Sequence, residues 1–94
     1  MDFFVYMLEC SDGSFYVGHT DDLEKRLSEH NSGKIDGYTA TRLPVALVYH
    51  QPFPTRDEAF TAERKIKGWS REKKKALIKG QWFEIKRLAK KKFQ

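Results

Sequence analysis

The fold of this chain is decided near its start by two apolar runs, Phe3-Phe4-Val5-Tyr6-Met7-Leu8-Glu9 and Phe15-Tyr16-Val17-Gly18. The first run is aromatic and unbroken, which is typical of a strand whose two faces are both buried. Asp12-Gly13 stands between the runs and favours a tight turn. The stretch therefore predicts one β-hairpin.

The length of the turn decides which side chains share a face of the hairpin. A two-residue turn would place Tyr6 and Tyr16 on opposite faces, because a change of one residue in register flips every side chain. A three-residue turn with positive φ at Gly13 would pair Tyr6 with Gly18, place both phenols on one face and leave space above the Tyr6 ring. A shared site predicts the odd-length turn. The alternative is that these aromatic side chains only build the sheet.

The other elements follow from capping residues and from the positions of glycine and proline. A helix is expected from a cap within Thr20-Asp21-Asp22 to about Asn31, and Thr55 begins another with the capping box Thr55-Arg56-Asp57-Glu58. Further helices are predicted over 70–79 and 81–92, and a third strand over 44–50, closed by Pro52 and Pro54. Over residues 1–80, the order β-β-α-β-α-α indicates a small α+β domain whose helices cover a three-stranded sheet.

Length and cysteine content restrict the class of protein. A chain of 94 residues has room for one domain with one modest core. The single cysteine, Cys10, excludes an internal disulfide and a cysteine-rich zinc site. A reducing, cytoplasmic setting is expected, with no signal peptide and no membrane partner.

The net charge of +5 is distributed unevenly. Residues 1–69 carry 8 basic and 11 acidic side chains (net −3), whereas residues 70–94 carry 10 basic and 2 acidic ones (net +8). A basic segment beside a neutral-to-acidic body suggests a polyanionic partner, with nucleic acid first. The alternative is a solvated, lysine-rich C-terminal helix.

The first predicted helix carries two polar groups that turn toward the sheet. Leu23 and Leu27 set its inward direction, and His30 falls on nearly the same side with Arg26 at the edge. Arg26 is suited to bind a phosphate, and His30 to take a proton from water or from a tyrosine. Alone, this pair is equally typical of a boundary histidine and a surface arginine.

Glu63 lies on the mostly apolar face of the helix that begins at Thr55. A carboxylate with that bearing costs desolvation unless a positive group meets it. A divalent cation fits, because Mg²⁺ is often held by one or two carboxylates together with water and substrate oxygens. The alternative partner is Lys67, in an i,i+4 pair of about 0.2–0.5 kcal/mol.

Contacts with nucleic acid are predicted at Gly18, His19, Lys34, Arg42, Lys73, Lys74 and Lys75. His19 follows Gly18 and is placed to touch substrate, although it is as readily a histidine at a strand end. Cys10 has no basic neighbour, so nucleophilic catalysis by its thiol is not expected.

The motifs Phe4-Val5-Tyr6 and Tyr16-Val17-Gly18, with Arg26 and His30 on the following helix and Glu63 downstream, resemble the GIY-YIG nuclease superfamily. The stretches 38–44 (YTATRLP) and 62–69 (AERKIKGW) are similar to those of its small stand-alone bacterial group. The resemblance covers roughly residues 3–80, with one departure, because Phe4 replaces the glycine of the first motif.

The resemblance implies a three-stranded antiparallel sheet in a nuclease domain, 1–80, with 81–94 as a basic C-terminal helix packed on it or extending from it. The implied activity is hydrolysis of DNA with Mg²⁺ or Mn²⁺, leaving 5′-phosphate and 3′-hydroxyl ends, in DNA repair or processing. By resemblance, Tyr6 is a candidate general base, Tyr16 positions water and phosphate, Arg26 neutralises the scissile phosphate, and Glu63 is the one protein ligand of the metal. His30 stands where some members have tyrosine and others histidine, so either Tyr6 or His30 can serve as the base.

Two other functions fit the same sequence. One is a non-catalytic nucleic-acid-binding module that uses the basic tail and the aromatic side chains of the sheet. The other is an adaptor that docks into a larger repair assembly. For a nuclease of this size, acting as a monomer or weak dimer, specificity would come from the tail, from dimerisation or from a protein partner.

Overall fold

The computed structural model of the protein describes residues 2–35 and 37–80. Its elements are β1 (Phe3–Glu9), β2 (Phe15–Thr20), α1 (Leu23–Asn31), β3 (Ala46–Phe53), α2 (Arg56–Lys67) and α3 (Arg71–Ile78). The strands form one antiparallel sheet, so the predicted α+β class and element order are confirmed. The predicted helix over 81–92, and with it the basic segment 81–94, lies outside the described residues.

Strand β1 is the centre of the sheet, whose strand order is β2-β1-β3. Its side chains from Val5 to Leu8 are all buried, as the unbroken apolar run predicted. Alternate side chains of a strand point to opposite faces, so a central strand covered on both sides needs apolar residues at every position. Full burial of each such side chain contributes about 1.5–3 kcal/mol.

The β1–β2 hairpin has the three-residue turn that a shared tyrosine site requires. Gly13 has φ +82°, and Cys10 and Ser14 close the turn through a hydrogen bond of 2.8 Å from the Cys10 amide to the Ser14 carbonyl. The register pairs Tyr6 with Gly18, as predicted for the odd-length turn. Both phenols therefore lie on the same face of the sheet.

Strand β3 differs from the prediction of 44–50 at both ends. It begins at Ala46 and runs through Pro52 to Phe53, so Pro52 does not end it. Proline is tolerated there because β3 is an edge strand, whose outer side has, within the described residues, no neighbouring strand that needs an N–H donor. Its pairing with β1 shifts at Val48, which stands unpaired between Leu47 and Tyr49, a one-residue bulge.

The two faces of the sheet carry separate apolar clusters. On one face, Leu23 and Leu27 of α1 pack against the cluster that contains Tyr6 and Leu8. On the other face, α2 and α3 contribute buried side chains to a cluster with Val5, Met7, Val17, Ile66, Ala76 and Leu77. The sheet is thus a middle layer between α1 and the α2–α3 pair.

Local capping fixes the helix ends. The carboxylate of Asp22 accepts a hydrogen bond from the Lys25 amide at the start of α1, and Thr55 and Ser70 do the same for α2 and α3. At the end of α1, the side-chain amide of Asn31 bonds both backbone groups of Val45, and this tie fixes α1 to the entry of β3. Within the described residues, no helix has the length and apolar character needed to cross a membrane.

Candidate active site

Tyr6 and Tyr16 meet on the α1 face of the sheet, with ring centroids 6.3 Å apart. The Tyr6 ring crosses the backbone of Gly18, its partner on β2, so closely that a Cβ at Gly18 would lie 2.5 Å from the phenol oxygen. The sequence predicted open space above the Tyr6 ring. The ring itself instead fills the space beside Gly18 that a side chain would otherwise occupy. Gly18 thus lets the Tyr6 ring lie directly against the β2 backbone, and Gly18 itself is buried.

His30 completes a buried chain of hydrogen bonds with Tyr6. Its Nε2 lies 3.1 Å from the Tyr6 hydroxyl, and its Nδ1 lies 2.8 Å from Oγ1 of Thr39. All three residues are at most 3% exposed, so neither ring nitrogen is left to solvent. The ring also packs edge-on against Tyr16, with centroids 5.2 Å apart.

Burial controls the protonation of both partners. Burial, reinforced by the neighbouring Tyr16, raises the pKa of Tyr6 above its ordinary value, while Arg26 acts in the opposite direction. Burial, followed by the positive charge of Arg26, lowers the pKa of His30. At neutral pH the pair is therefore a neutral phenol beside a neutral imidazole that can accept a proton.

Arg26, on α1, acts electrostatically on the hydrogen-bonded group of Tyr6, His30 and Thr39. Its Nε is buried and has no hydrogen-bond partner among the described residues; the nearest carboxylate oxygen, on Glu29, is 3.8 Å away. The side chain as a whole is 40% exposed, so part of the guanidinium is accessible from outside. A guanidinium whose Nε is buried without an acceptor is stabilised by an anion, and a phosphate offers matching oxygens.

Glu63 approaches from the other side of β2, on α2. Its side chain is only 10% exposed, and both oxygens have cationic or N–H partners: His19 Nδ1 lies 2.8 Å from Oε1, and Lys67 Nζ lies 3.3 Å from Oε2. The alternative Lys67 pair considered from the sequence is therefore present. A largely buried carboxylate is a ligand type that suits Mg²⁺ or Mn²⁺, which are often held by one or two carboxylates together with water.

Lys67 links the two faces of the sheet around its β2 edge. Its ammonium lies 5.8 Å from the centre of the Tyr16 ring and also contacts Glu63. The charges of Glu63 and Arg26 both act on the Tyr6 phenol. The phenols and α1, which carries Arg26, lie on one face of the sheet, and α2, which carries Glu63, lies on the other, with β2 at the edge between them.

The residues predicted to bind nucleic acid are distributed over several surfaces. Lys34 is exposed in the loop after α1. Arg42 bonds Asp12 at 3.1 Å and stacks 3.9 Å from the centre of the Tyr38 ring, so it has a structural task in that loop. His19 is engaged with Glu63.

The lysines of α3 lie with that helix on the sheet face opposite the phenols. Lys75 is exposed, whereas Lys73 and Lys74 are half-buried. Lys73 lies over the Trp69 ring at 4.3 Å, and burial lowers the pKa of Lys74. The α3 lysines that were predicted to bind nucleic acid are therefore separate from the tyrosine face.

Two residues of the site were not predicted as site residues from the sequence. Thr39 lies in the stretch 38–44 that resembles the family, but no periodicity marks this threonine in a polar loop as buried. Tyr38, whose ring stacks on Tyr16 with centroids 6.4 Å apart, stands out in the sequence only as part of a motif stretch. Both depend on where the loop between α1 and β3 folds back, which local sequence does not encode.

The geometry agrees with what known proteins show. The sequence profile of the GIY-YIG catalytic domain matches residues 2–76, and the chain belongs to that family. A UPF0213 protein of Bacillus pumilus is 51% identical over 75 residues, which cover 80% of this chain and 76% of that protein.

Two solved structures resemble the fold. The solution structure of a UPF0213 protein from Bacillus halodurans is 44% identical, with a TM-score of 0.54 and 84% of each chain covered. That of a protein from E. faecalis is 40% identical, with a TM-score of 0.59 and 85% of each chain covered. Family membership implies a function of the nuclease type, acting on nucleic acid; nucleases of this family generally use a divalent metal.

Proposed function

We propose that this protein is an endonuclease that hydrolyses phosphodiester bonds of DNA with one divalent cation, Mg²⁺ or Mn²⁺, in DNA repair or processing. The observation that carries the proposal is the buried 3.1 Å hydrogen bond between the Tyr6 hydroxyl and His30 Nε2. Arg26 and Glu63 act electrostatically on the same phenol. A proton acceptor, a phosphate-binding cation and a metal ligand are the groups that this hydrolysis needs.

In the proposed mechanism the proton of the attacking water passes through Tyr6 to His30. A free phenolate is disfavoured, because burial raises the pKa of Tyr6. In the tautomer with the proton on Nδ1, His30 donates to Thr39 Oγ1, 2.8 Å away, and Nε2 is left to accept the phenol proton. As the water oxygen bonds to phosphorus, Tyr6 takes the water proton and gives its own to Nε2. In this scheme Tyr6 and His30 are not alternative bases: Tyr6 passes on the proton, and His30 is its final acceptor.

Arg26 and Tyr16 hold the phosphate in this scheme. The Arg26 guanidinium, whose Nε has no acceptor within the described part of the chain, binds a non-bridging oxygen and stabilises the charge that builds on phosphorus. Tyr16 packs against both Tyr6 and His30 and orients the water and the phosphate between them. The bond to the 3′ oxygen then breaks, and protonation of that oxygen from solvent leaves 5′-phosphate and 3′-hydroxyl ends.

Glu63 would hold the divalent cation, which when bound supplies charge neutralisation at the leaving oxygen. The contact of Glu63 with the Lys67 ammonium supports this role, because it shows a shielded carboxylate that already attracts a cation. Lys67 would leave Glu63 when the cation enters, and its ammonium would then be available to a neighbouring phosphate oxygen. We assign the catalytic unit to residues 1–80 and a role in binding DNA to residues 81–94, with a protein partner as a further source of specificity.

Nicking of supercoiled plasmid DNA tests the proposal. Tyr6→Phe should slow cleavage by about 10²–10⁴-fold, the range for loss of a positioned proton-transfer group. Glu63→Ala should fold normally, still bind DNA, and lose nicking that depends on Mg²⁺ or Mn²⁺. Rates would be measured with each metal and with a chelator, and folding by circular dichroism.

Two matched variants serve as controls. Tyr49→Phe removes a phenol from the opposite sheet face, where its hydroxyl bonds only Gln51 in the described chain, at 2.7 Å. Asp57→Asn removes an exposed carboxylate from the first turn of α2. Both should cleave like the parent. If Glu63→Ala cleaves as fast as the parent, the metal assignment is wrong. If the parent protein binds DNA but does not cleave it with any divalent metal, the protein is a binding module.

A further inference from the structure

Glu63 has a nitrogen neighbour that the proposed mechanism leaves without a task. His19 projects from β2 onto the α2 face, and its Nδ1 lies 2.8 Å from Oε1 of Glu63. The His19 side chain is 23% exposed and that of Glu63 10%, so the pair is shielded but can be reached from solvent. The Phe60 ring packs against the imidazole, with centroids 5.4 Å apart, and limits its rotation.

The distance between the two atoms suits a shared cation. Two ligands that each lie about 2.1 Å from a divalent ion, at right angles to one another, are about 3.0 Å apart. The observed 2.8 Å between Nδ1 and Oε1 is close to that value. A cation could replace the shared hydrogen with small side-chain movements and no change of the backbone.

We propose that His19 and Glu63 together bind the divalent cation, and that this pair favours Mn²⁺ and other first-row transition ions over Mg²⁺. The inference rests on the proposed function, which places a metal at Glu63. Mg²⁺ prefers ligand sets made of oxygen, whereas imidazole nitrogen binds transition ions more strongly. Replacing one water by His19 therefore shifts selectivity toward the transition ions.

The surroundings leave the remaining coordination positions to water and substrate. The described residues contain no group of three or more histidine, cysteine or acidic side chains that could complete a protein cage. Lys67 is the competitor for Glu63, because its ammonium contacts Oε2, but its side chain is 48% exposed on a flexible stem. Removing it from the carboxylate requires no repacking of the core.

The other two histidines are not placed to act in this way. Both ring nitrogens of His30 are bonded, to Thr39 and to Tyr6. His50 lies on β3, at the opposite edge of the sheet from β2, with its ring against Phe4. A nitrogen signal from a bound metal would therefore identify His19.

Pulsed electron paramagnetic resonance of the full chain with Mn²⁺ tests the inference. The bound ion should show hyperfine coupling to an imidazole nitrogen, and ¹⁵N-histidine labelling should change that coupling. His19→Gln, whose amide can keep a hydrogen bond to Glu63, should remove the signal and weaken Mn²⁺ binding by at least about tenfold. It should change Mg²⁺ binding much less. His50→Gln should leave both unchanged.

Glu63→Gln separates failure of this inference from failure of the proposed function. Mn²⁺ that binds in a manner dependent on Glu63 but shows no imidazole coupling, or binds equally well to His19→Gln, would overturn the role of His19 and leave the nuclease proposal intact. Mn²⁺ binding that does not depend on Glu63 would overturn the metal assignment in the proposed function and the inference together.

Discussion

At the scale of single residues, the position of one hydroxyl group controls the chemistry that this site can perform. The Tyr6 phenol is 3% exposed, crosses Gly18 and bonds His30. Burial keeps the phenol protonated and keeps His30 neutral, since it raises the pKa of the first and lowers that of the second. The acceptor for a proton is therefore the imidazole, and Tyr6 is the group that brings the proton to it.

Thr39 should be a positioning residue for this relay. Thr39→Val keeps the shape of the side chain but leaves Nδ1 of His30 buried without its partner, a cost of about 1–3 kcal/mol in the free energy of unfolding. Misplacement of the ring should also slow cleavage by about 10²-fold. Thr39→Ser, which restores the hydroxyl, should recover both quantities in urea titrations and nicking assays. Equal cleavage by the valine and serine variants would exclude the role.

His30 should make stability depend on pH. Its pKa in the folded protein is lowered from 6.5, chiefly by burial, so just below about pH 6.5 the unfolded chain binds a proton that the folded chain does not. The free energy of unfolding should be constant above that pH in this respect, should fall as the pH decreases from about 6.5 to the pKa of the folded state, and should level off below it. His30→Gln should show a shallower decline in urea titrations between about pH 5 and pH 8. Parallel curves for the two proteins would contradict the expectation.

At the scale of elements, the site depends on α1 and α2, which pack on opposite faces of a three-stranded sheet whose edge on this side is β2. In strand β2, Gly18 pairs with Tyr6, and the next residue, His19, contacts Glu63 of α2. Successive residues of a strand face opposite sides of the sheet, so Gly18 faces the side of α1 and His19 faces the side of α2. Strand β2 therefore connects the phenol face with the carboxylate face.

Gly18→Ala should damage both the packing and the activity. The added Cβ would meet the Tyr6 hydroxyl at 2.5 Å and the ring carbon beside it at 2.7 Å. Tyr6 is packed against Tyr16 and His30, so its displacement should cost about 1–3 kcal/mol in the free energy of unfolding and reduce cleavage strongly.

Gly68→Ala is the matched control for this substitution. Gly68 follows α2 at φ −80°, a conformation that alanine adopts, and its Cβ would lie 3.5 Å from the Lys65 carbonyl oxygen, an ordinary van der Waals distance. Thermal unfolding and nicking should distinguish the two variants clearly. If Gly18→Ala retains parental activity, the close contact between the Tyr6 ring and Gly18 is not required for the reaction.

At the scale of the whole molecule, charge and chemistry are separated along the chain. The proposed catalytic groups all lie between Tyr6 and Glu63, whereas residues 70–94 hold 10 of the 18 basic side chains. Of the lysines at 73–75, only Lys75 is exposed. Most sequence-independent attraction for DNA should therefore come from the basic residues beyond α3.

Salt dependence of DNA binding tests this division. Changing Lys86, Arg87, Lys90, Lys91 and Lys92 to glutamine should weaken binding and flatten the plot of log affinity against log salt, by about 0.9 for each phosphate that is no longer neutralised. Cleavage at low salt should persist, because the groups between Tyr6 and Glu63 are unchanged. Lys74→Gln should have a smaller effect than Lys75→Gln. An unchanged slope in the five-residue variant would place the DNA-binding surface on residues 1–80.

Local sequence was sufficient wherever a short-range rule controls the backbone. The turn signal at Asp12-Gly13, the caps at Thr55 and Ser70, and the unbroken apolar run of β1 each predicted an element close to its observed bounds. The rule that proline ends a strand fails at Pro52, since edge position, a property of the sheet and not of the segment, permits proline in β3.

By itself, the amino-acid sequence determined the order of the elements and the family, and it made the shared face of Tyr6 and Tyr16 conditional on an odd-length turn, which the observed register has. Those features depend on periodicity, turn geometry and residue identity, which act between near neighbours. Only the tertiary structure brought Thr39 to His30 and His19 to Glu63, across 9 and 44 residues of chain. Such contacts depend on how loops and helices pack around the sheet, because the free energy that selects them comes from burial of many side chains together.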